Sequence, residues 1–531
     1  MEESSSLTSN LNYNVSLKMK LLLISLLLLL NIVIRIPSVP HEQGYDSFFI
    51  HGLANSITNF GEAQWWGSWL SIFGLYPYSY ASSVPFSLSG ISQLTGIPME
   101  FTILIFCIFL GIFTIFASYL FAGVFHKSFI SRYIFSYLFS LSASTMTLTT
   151  WQITTRAQFL VFFPFFMYQL YKALKGEKKF SLLLIITFLF VFATHHYAYF
   201  LIFFSALIVI TFLFYKLGSK IQIPDIKYLN LNNLYFAIAF FLIITPFLFS
   251  GQIGLIEYGS RYSWIISIVI TSIRNLGPVF PLSIGGFVYI SFKKFKSYQE
   301  WSILACILPT IVFSYNQTYG YLITYLLFII LGAEGIINLV RSYRKDRELV
   351  LYFIVLILIV NITFSGFFAH WKLGTQGGYT DWYMTEESYL TGQWMKNNLN
   401  PDIIGISNGF ETDRMYASYG GIPPLYSRSS IWNYINGFIT FNKSDLCKTP
   451  IFSKNYYFEG VYFLEDNTDS AGLLSWLSEF PVTDMRVEGF LNKLNVSFFI
   501  EDGYVPSTFT NSLSYNKNKI YDGGRMRLWL I

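Results

Sequence analysis

The sequence has little charge and few cysteines for its length. Only 12% of its 531 residues are charged, about half the share in soluble domains. The three cysteines are Cys107, Cys306 and Cys447, and no CxxC or HExxH pattern occurs. This pattern supports neither a disulfide framework nor a Cys-based metal site. The formal net charge of +5 is too small to indicate nucleic acid as a partner.

Apolar residues are abundant instead. Hydrophobic residues make up 53% of the chain and aromatic residues 20%. Apolar runs near the length of a bilayer crossing recur through the first 370 residues, which indicates a polytopic α-helical membrane protein. We predict eleven spans, at 21–36, 101–125, 133–150, 159–171, 181–194, 198–214, 233–250, 277–292, 301–315, 319–338 and 349–367.

Basic residues predict the orientation of these spans. With residues 1–20 as a cytoplasmic tail and the first span uncleaved, the outer side before residue 368 has four basic residues, Arg35, Arg156, Arg261 and Arg274. The inner loops have eighteen: Lys18, Lys20, Lys127, Arg132, Lys172, Lys175, Lys178, Lys179, Lys216, Lys220, Lys227, Lys293, Lys294, Lys296, Arg341, Arg344, Lys345 and Arg347. The positive-inside rule therefore predicts a cytoplasmic N-terminus in the cell membrane.

Two regions depart from the pattern of spans. The segment 251–276 is interrupted by Arg274 and followed by Pro278 and Pro281, which predicts a partly helical external loop or a broken helix. Residues 21–367 form the membrane domain, and residues 368–531 are rich in Asn, Asp, Ser, Gly and Tyr. The latter part predicts an extracytoplasmic α/β domain. Its predicted elements are a helix capped by Thr385, strands at 403–406, 461–464 and 496–500, a helix at 472–479 and a final Asp-Gly hairpin.

Ionisable residues gather on the predicted outer face. The first external loop, 37–98, contains Asp46, His51 and Glu62, together with the tryptophans Trp65, Trp66 and Trp69. Charged groups at a membrane boundary mark functional sites when they face a cavity. The alternative is that these are solvated loop residues and an ordinary aromatic belt at the interface.

Two short turns between apolar spans carry further polar groups. His195 and His196 occupy one turn, and Arg156 lies in another, while Arg261 and Arg274 fall in the interrupted segment. Guanidinium is the preferred side chain for phosphate, so three outer arginines indicate an anionic ligand. The alternatives are arginines that snorkel to lipid headgroups and histidines with satisfied hydrogen bonds.

A divalent metal such as Mg or Mn is compatible with these residues. Asp46 and His195 are the candidate ligands, with carboxylate and imidazole donors suited to a hard or borderline cation. The adjacent histidines are poorly spaced for two ligands on one helix face, and the first external loop has no DxD pair. The sequence leaves the metal undecided.

The run Gly44-Tyr45-Asp46-Ser47-Phe48-Phe49-Ile50-His51 after the first span resembles the first external loop of GT-C class glycosyltransferases. This class includes the oligosaccharyltransferase catalytic subunit and protein O-mannosyltransferases. The multi-span body, the histidine-rich outer turns and the C-terminal outer domain are similar too. The WWDYG-type signature is absent, and 151–158 contains no acidic pair, which argues against transfer to asparagine sequons.

The resemblance implies a polyprenyl- or dolichyl-linked sugar donor and a protein or glycolipid acceptor in the bilayer. It assigns Asp46 to the acceptor or the metal, and we expect Asp46 to act as general base in an inverting transfer. We expect substrate contacts from His51, Glu62, Arg156, His195, His196, Arg261 and Arg274. The alternatives are a lipid-linked polysaccharide polymerase or ligase and a polytopic transporter or flippase.

Overall fold

The computed structural model describes residues 15–63, 66, 68–75, 79–218, 231–248, 261–313, 318–342, 347–375, 383–400, 403–408, 416, 418–421, 477–493 and 495–531. Helices dominate the part before residue 376. They are α1 Leu17–Val33, α2 Tyr45–Phe60, α3 Ser83–Thr95, α4 Met99–Phe125, α5 Phe129–Ser140, α6 Ala143–Leu148, α7 Thr155–Leu174, α8 Lys178–Phe192, α9 Ala198–Gly218, α10 Leu231–Leu248, α11 Arg261–Leu276, α12 Phe280–Phe292, α13 Tyr298–Phe313, α14 Thr318–Ser342 and α15 Arg347–Thr375.

Every predicted span coincides with at least one of these helices. Among the described residues, four stretches are long and apolar enough to cross a bilayer, namely Met99–Phe125, Ala198–Leu217, Val269–Phe292 and Ile323–Val340. The prediction of a mostly helical chain with helices long and apolar enough to cross a membrane is therefore confirmed. The number of spans and their orientation stay predictions.

One predicted span is interrupted, and a second break lies at the start of another. The stretch 133–150 contains two helices, because α5 ends at Ser140 and Ser142 caps α6 by accepting a bond from the Thr145 amide. The guanidinium of the buried Arg35 fits at this break, donating to the Ser140 carbonyl at 3.1 Å and to Thr149 Oγ1 at 3.0 Å. Similarly, a 3₁₀ turn at Gly277–Val279 separates α11 from α12, in agreement with the predicted broken helix.

The predicted external loop 37–98 contains helices of its own. It forms α2, a 3₁₀ turn at Trp69–Ile72, and α3. Gly44, with φ +89°, precedes α2, and Gly61, with φ +71°, ends it, which is the left-handed conformation that glycine adopts without strain. Apolar residues of both helices pack with the start of α4 and with residues 151–161 in a second core. The loop is therefore a packed part of the fold.

The C-terminal part combines α16 Glu386–Asn398, β1 Ile404–Ser407, α17 Met485–Lys493, β2 Val496–Asp502, α18 Thr508–Asn516, β3 Asn518–Asp522 and β4 Met526–Leu530. The strands form one sheet in the order β1-β2-β4-β3, with β1 parallel to β2 and the other pairs antiparallel. The α/β prediction is confirmed here, including the Thr385 cap and the hairpin turn at Asp522.

Two further predicted elements of this part are not tested, and two of its helices were not predicted. The predicted strand 461–464 and most of the predicted helix 472–479 lie outside the described residues. Helices α17 and α18 were not predicted, since each is only nine residues long and a nine-residue amphipathic pattern is easily mistaken for a loop.

Candidate active site

Asp46 and Arg156 form an ion pair where two helices begin. Asp46 lies in the first turn of α2 and Arg156 in the first turn of α7, and the guanidinium Nη2 donates to Asp46 Oδ2. Their side chains are 43% and 29% exposed. An acidic and a basic side chain that are 110 residues apart in the chain thus meet here.

The local backbone favours negative charge at this place. The N-terminus of a helix carries a partial positive charge, and no side chain caps α2, whose preceding residue is Gly44. Helix α7 is capped by Thr154, which accepts from the Ala157 amide at 3.0 Å. An uncapped helix start beside a partly exposed guanidinium is an arrangement suited to a phosphate.

A buried carboxylate, Glu42, precedes Asp46 by four residues and is hydrogen-bonded to Ser47, the residue after Asp46. It is fully buried and accepts hydrogen bonds from Ser47 Oγ at 2.5 Å, His51 Nδ1 at 2.6 Å and the Tyr419 hydroxyl at 3.0 Å. Such a carboxylate is tolerated only when its lone pairs are satisfied. His51, expected to contact substrate, is itself buried and uses one ring nitrogen on Glu42; its substrate contact stays a prediction.

The same cluster connects α2 to the segment that leads to Arg156. Ser47 Oγ accepts from the Ile153 amide at 2.9 Å, and the Gln43 amide donates to the Trp151 carbonyl at 3.2 Å. Trp151 has φ +46°, a conformation that costs a bulky residue about 1–3 kcal/mol. Its indole N–H donates to the Glu100 carbonyl at 3.2 Å. The surrounding bonds therefore hold a strained turn in place.

His41 joins two carboxylates from different parts of the chain. Its Nδ1 lies 2.9 Å from Glu100 and its Nε2 lies 2.9 Å from Glu386, while its ring stacks on Tyr389 at 4.1 Å. Burial alone would lower the pKa of His41, but the hydrogen bonds to Glu100 and Glu386 outweigh it and raise the pKa above its ordinary value. The two carboxylates therefore stabilise the charged form of His41.

The double-histidine turn is tied to the start of α3. The Ser83 amide donates to the Ala193 carbonyl at 2.9 Å, and Ser83 Oγ accepts from Thr194 Oγ1 at 3.2 Å and from Gln158 Nε2 at 2.9 Å. Because Gln158 follows Arg156 within α7, this serine connects the turn to the helix of the ion pair. The two histidine rings are 4.1 Å apart, and His195 Nδ1 accepts from the Tyr197 amide at 3.1 Å.

Other predicted site residues lie farther along their helices. Glu62 is exposed just beyond the C-terminal end of α2, about 24 Å along the axis from Asp46. Arg261 opens α11 and Arg274 is exposed in its last turn, about 20 Å apart. The structure therefore does not gather all three arginines and Glu62 at one point, and their substrate contacts stay predictions.

The tryptophans do not form one platform in the described residues. Trp66 stacks on Phe86 with ring centroids 4.7 Å apart, Trp69 is 71% exposed, and Trp65 lies outside the described residues. Trp66 is thus part of the local packing.

The described residues do not present a ready metal site. No group of three or more His, Cys, Asp or Glu side chains placed to hold an ion occurs among them. Asp46 is engaged by a guanidinium, and His195 accepts a backbone hydrogen bond through Nδ1. The candidate ligands Asp46 and His195 therefore do not fit a site for Mg or Mn as they stand, and we derive no step through a metal.

Glu42, Gln43 and Tyr419 are the residues that sequence reasoning missed. Glu42 lies within the predicted first external loop, but its central position depends on Tyr419, which is 377 residues away in the chain. No local pattern identifies such a contact. A carboxylate four residues before Asp46 was the one available indication.

No protein-family model and no curated protein matches the sequence. Solved structures do have the same fold. The chain is similar to the oligosaccharyltransferase of Archaeoglobus fulgidus in the apo form, with a TM-score of 0.58 and 12% identity over 91% of this chain and 69% of that one.

Two further structures give the same result. Arabinofuranosyltransferase AftD from mycobacteria matches with a TM-score of 0.52 and 12% identity, over 97% of this chain and 40% of that one. ArnT from Cupriavidus metallidurans, solved with bound undecaprenyl phosphate, matches with a TM-score of 0.50 and 9% identity, over 96% and 97%. The fold is thus that of the GT-C glycosyltransferases, and the resemblance is confirmed at the level of fold.

Proposed function

We propose that the protein is a membrane glycosyltransferase that moves a sugar or glycan from a polyprenyl- or dolichyl-linked (di)phosphate donor to an acceptor hydroxyl. The observation that carries the proposal is the Asp46–Arg156 pair at the start of two helices, within a GT-C fold. An Archaeoglobus fulgidus oligosaccharyltransferase structure contains dolichol phosphate, and the ArnT structure contains undecaprenyl phosphate, so lipid phosphates bind to proteins with this fold.

The ion pair suggests how donor binding prepares the base. While Arg156 holds the Asp46 carboxylate, the bonded carboxylate oxygen is occupied by the guanidinium and is not free to accept the acceptor proton. A donor phosphate at the uncapped start of α2 competes for the same guanidinium. Partial transfer of Arg156 to the phosphate leaves Asp46 available as proton acceptor only when the donor is bound.

The chemical step is an inverting displacement. The acceptor oxygen forms a bond to the anomeric carbon, the bond from that carbon to the phosphate oxygen breaks, and its electron pair remains on the phosphate. The acceptor proton moves to Asp46. Arg156 stabilises the charge on the departing phosphate, and His195 and His196 bind sugar or phosphate oxygens.

The C-terminal α/β domain supplies the acceptor side of the reaction. It contacts the membrane domain beside the ion pair, through Tyr419 on Glu42 and Glu386 on His41. We propose a protein or glycolipid acceptor, and we place this domain outside the cytoplasm with the donor in the outer leaflet, as the basic residues predict.

The test is transfer by purified protein in nanodiscs, supplied with a panel of polyprenyl-linked sugars while lipid phosphate release is followed. Asp46→Asn is expected to lower kcat by about 10²–10⁴-fold, because general base catalysis is lost. Arg156→Lys is expected to raise the donor KM, because paired donors of fixed geometry are lost.

The matched control is Glu177→Gln, which breaks the exposed Lys172–Glu177 pair at the other end of α7 and is expected to leave transfer unchanged. Undiminished turnover by Asp46→Asn would remove Asp46 as base. Absence of release from every donor in the wild-type protein would remove the proposed activity itself.

A further inference from the structure

Three glutamines beside the Asp46–Arg156 pair have buried amide atoms without a hydrogen-bond partner among the described residues. Gln43, Gln152 and Gln158 are 0%, 4% and 1% exposed. The unpaired atoms are Nε2 and Oε1 of Gln43 and Oε1 of Gln152 and of Gln158. Buried polar atoms nearly always have a partner from protein, water or ligand. Their concentration here points to a partner that the described residues do not supply.

Gln43 and Gln152 are held side by side by the backbone. The Gln43 amide donates to the carbonyl of Trp151 at 3.2 Å. A Cβ atom on Gly44 would come within 2.7 Å of Gln152 Cδ, so this glycine leaves room for the Gln152 side chain. Asp46 follows two residues later. Both amides therefore belong to the two segments that carry the ion pair.

The chemistry of an amide selects among ligands. A glutamine side chain offers two N–H donors and a carbonyl acceptor, both neutral. A phosphate diester has no proton to donate to the glutamine carbonyl oxygens, and in the proposed function Arg156 binds it. A sugar hydroxyl both donates and accepts, so it satisfies either atom. Paired neutral amides next to a guanidinium thus fit a polyol attached to a phosphate.

We propose that Gln43 and Gln152 bind hydroxyl groups of the donor sugar and determine which sugar is accepted. The inference rests on the proposed function and adds the residues that distinguish the sugar. Gln158 has a different role, because its Nε2 is already committed to Ser83 Oγ at 2.9 Å. It mainly holds the double-histidine turn against α7.

Gln169 provides a matched control within the same protein. It is also fully buried, and both of its amide atoms lack a partner among the described residues. It lies thirteen residues after Arg156 in α7, about 20 Å along the helix. A change there alters the burial of an unpaired amide without touching the site.

The experiment measures binding to full-length protein in nanodiscs. The probes are undecaprenyl phosphate alone and undecaprenyl phosphate linked to glucose, mannose or galactose. Gln43→Met and Gln152→Met are each expected to weaken binding of the preferred sugar lipid about five- to tenfold, as loss of one or two neutral hydrogen bonds does. Binding of undecaprenyl phosphate alone is expected to stay unchanged, as is every affinity of Gln169→Met.

Melting temperature separates this role from a structural one. Since the unpaired amide atoms of Gln43 and Gln152 lose no hydrogen bond to the described residues, both site variants are expected to melt at or above the wild-type temperature. A lower melting temperature, equal weakening for both lipids, or an effect confined to the acceptor KM would overturn the inference. If the wild-type protein transfers sugar and both variants bind it normally, only the inference fails. If the wild type binds and transfers no polyprenyl-linked sugar, the proposed function fails too.

Discussion

Removing one hydroxyl group should loosen the contact between the C-terminal domain and the membrane domain. The Tyr419 hydroxyl donates to the buried carboxylate of Glu42 at 3.0 Å. Burial and the neighbouring carboxylates raise the pKa of Tyr419 well above its usual range, so the hydroxyl remains protonated and donates throughout the physiological pH range. Tyr419→Phe keeps the ring, which packs 4.8 Å from His51 and 5.8 Å from Tyr389.

The size of the effect follows from the charge of the acceptor. A hydrogen bond to a charged group contributes about 1.5–3 kcal/mol. Glu42 retains its bonds from Ser47 and His51, so the loss is expected near the middle of this range. A loss of about 2 kcal/mol corresponds to a ~30-fold larger equilibrium constant for local opening.

Hydrogen exchange of the full-length protein in nanodiscs measures that opening. The informative amides are those that seal the contact, such as Met384, which donates to the Glu42 carbonyl at 3.2 Å. Tyr515→Phe is the control, because Tyr515 belongs to the same domain and is 88% exposed. A change below threefold in Tyr419→Phe, or an equal change in the control, would refute the role given to this hydroxyl.

Two other predictions concern ion pairs of the C-terminal part. The pKa of His41 is raised by its pairs with Glu100 and Glu386. Protection of the amides at the domain contact from hydrogen exchange should therefore be fullest below about pH 6.5 and should decline as the pH rises through that raised pKa. Hydrogen exchange measured across this pH range should show the decline, and His41→Gln should abolish it. Arg525 pairs through Nε with buried Asp502 at 2.8 Å, so Arg525→Met should destabilise the domain by about 3–5 kcal/mol. Thermal unfolding of the full chain measures the loss, and adding Asp502→Leu should restore most of it; a melting temperature unchanged by Arg525→Met would contradict the argument.

The helices could be predicted because hydrophobic length is a local property. The α16 cap at Thr385 and the hairpin at Asp522 were predicted for the same reason, since capping and turn preferences involve only a few neighbouring residues. The break within 133–150 was missed because its cause is not local. Arg35, which fits there, precedes Ser140 by 105 residues.

The candidate site was predictable in its charges and not in its hydrogen bonds. Asp46 and Arg156 were identified because ionisable groups are rare in this chain. That rarity is visible in the sequence without any knowledge of the fold. Their being paired does depend on geometry, since 110 residues separate them. Glu62 shows the opposite case, because it shares a loop with Asp46 in sequence but lies at the far end of α2.

The position of Glu42 makes the site and the domain contact parts of one structure. A fully buried carboxylate is costly unless donors surround it, and its donors come from α2 and from Tyr419 of the C-terminal part. Ser47 bonds both to Glu42 and to the Ile153 amide, and these residues flank Asp46 and precede Arg156. Loss of the domain contact therefore leaves Glu42 short of a donor at the point where the ion pair is positioned. For this reason, we expect the geometry of the proposed site to depend on the C-terminal domain even though neither Asp46 nor Arg156 belongs to it.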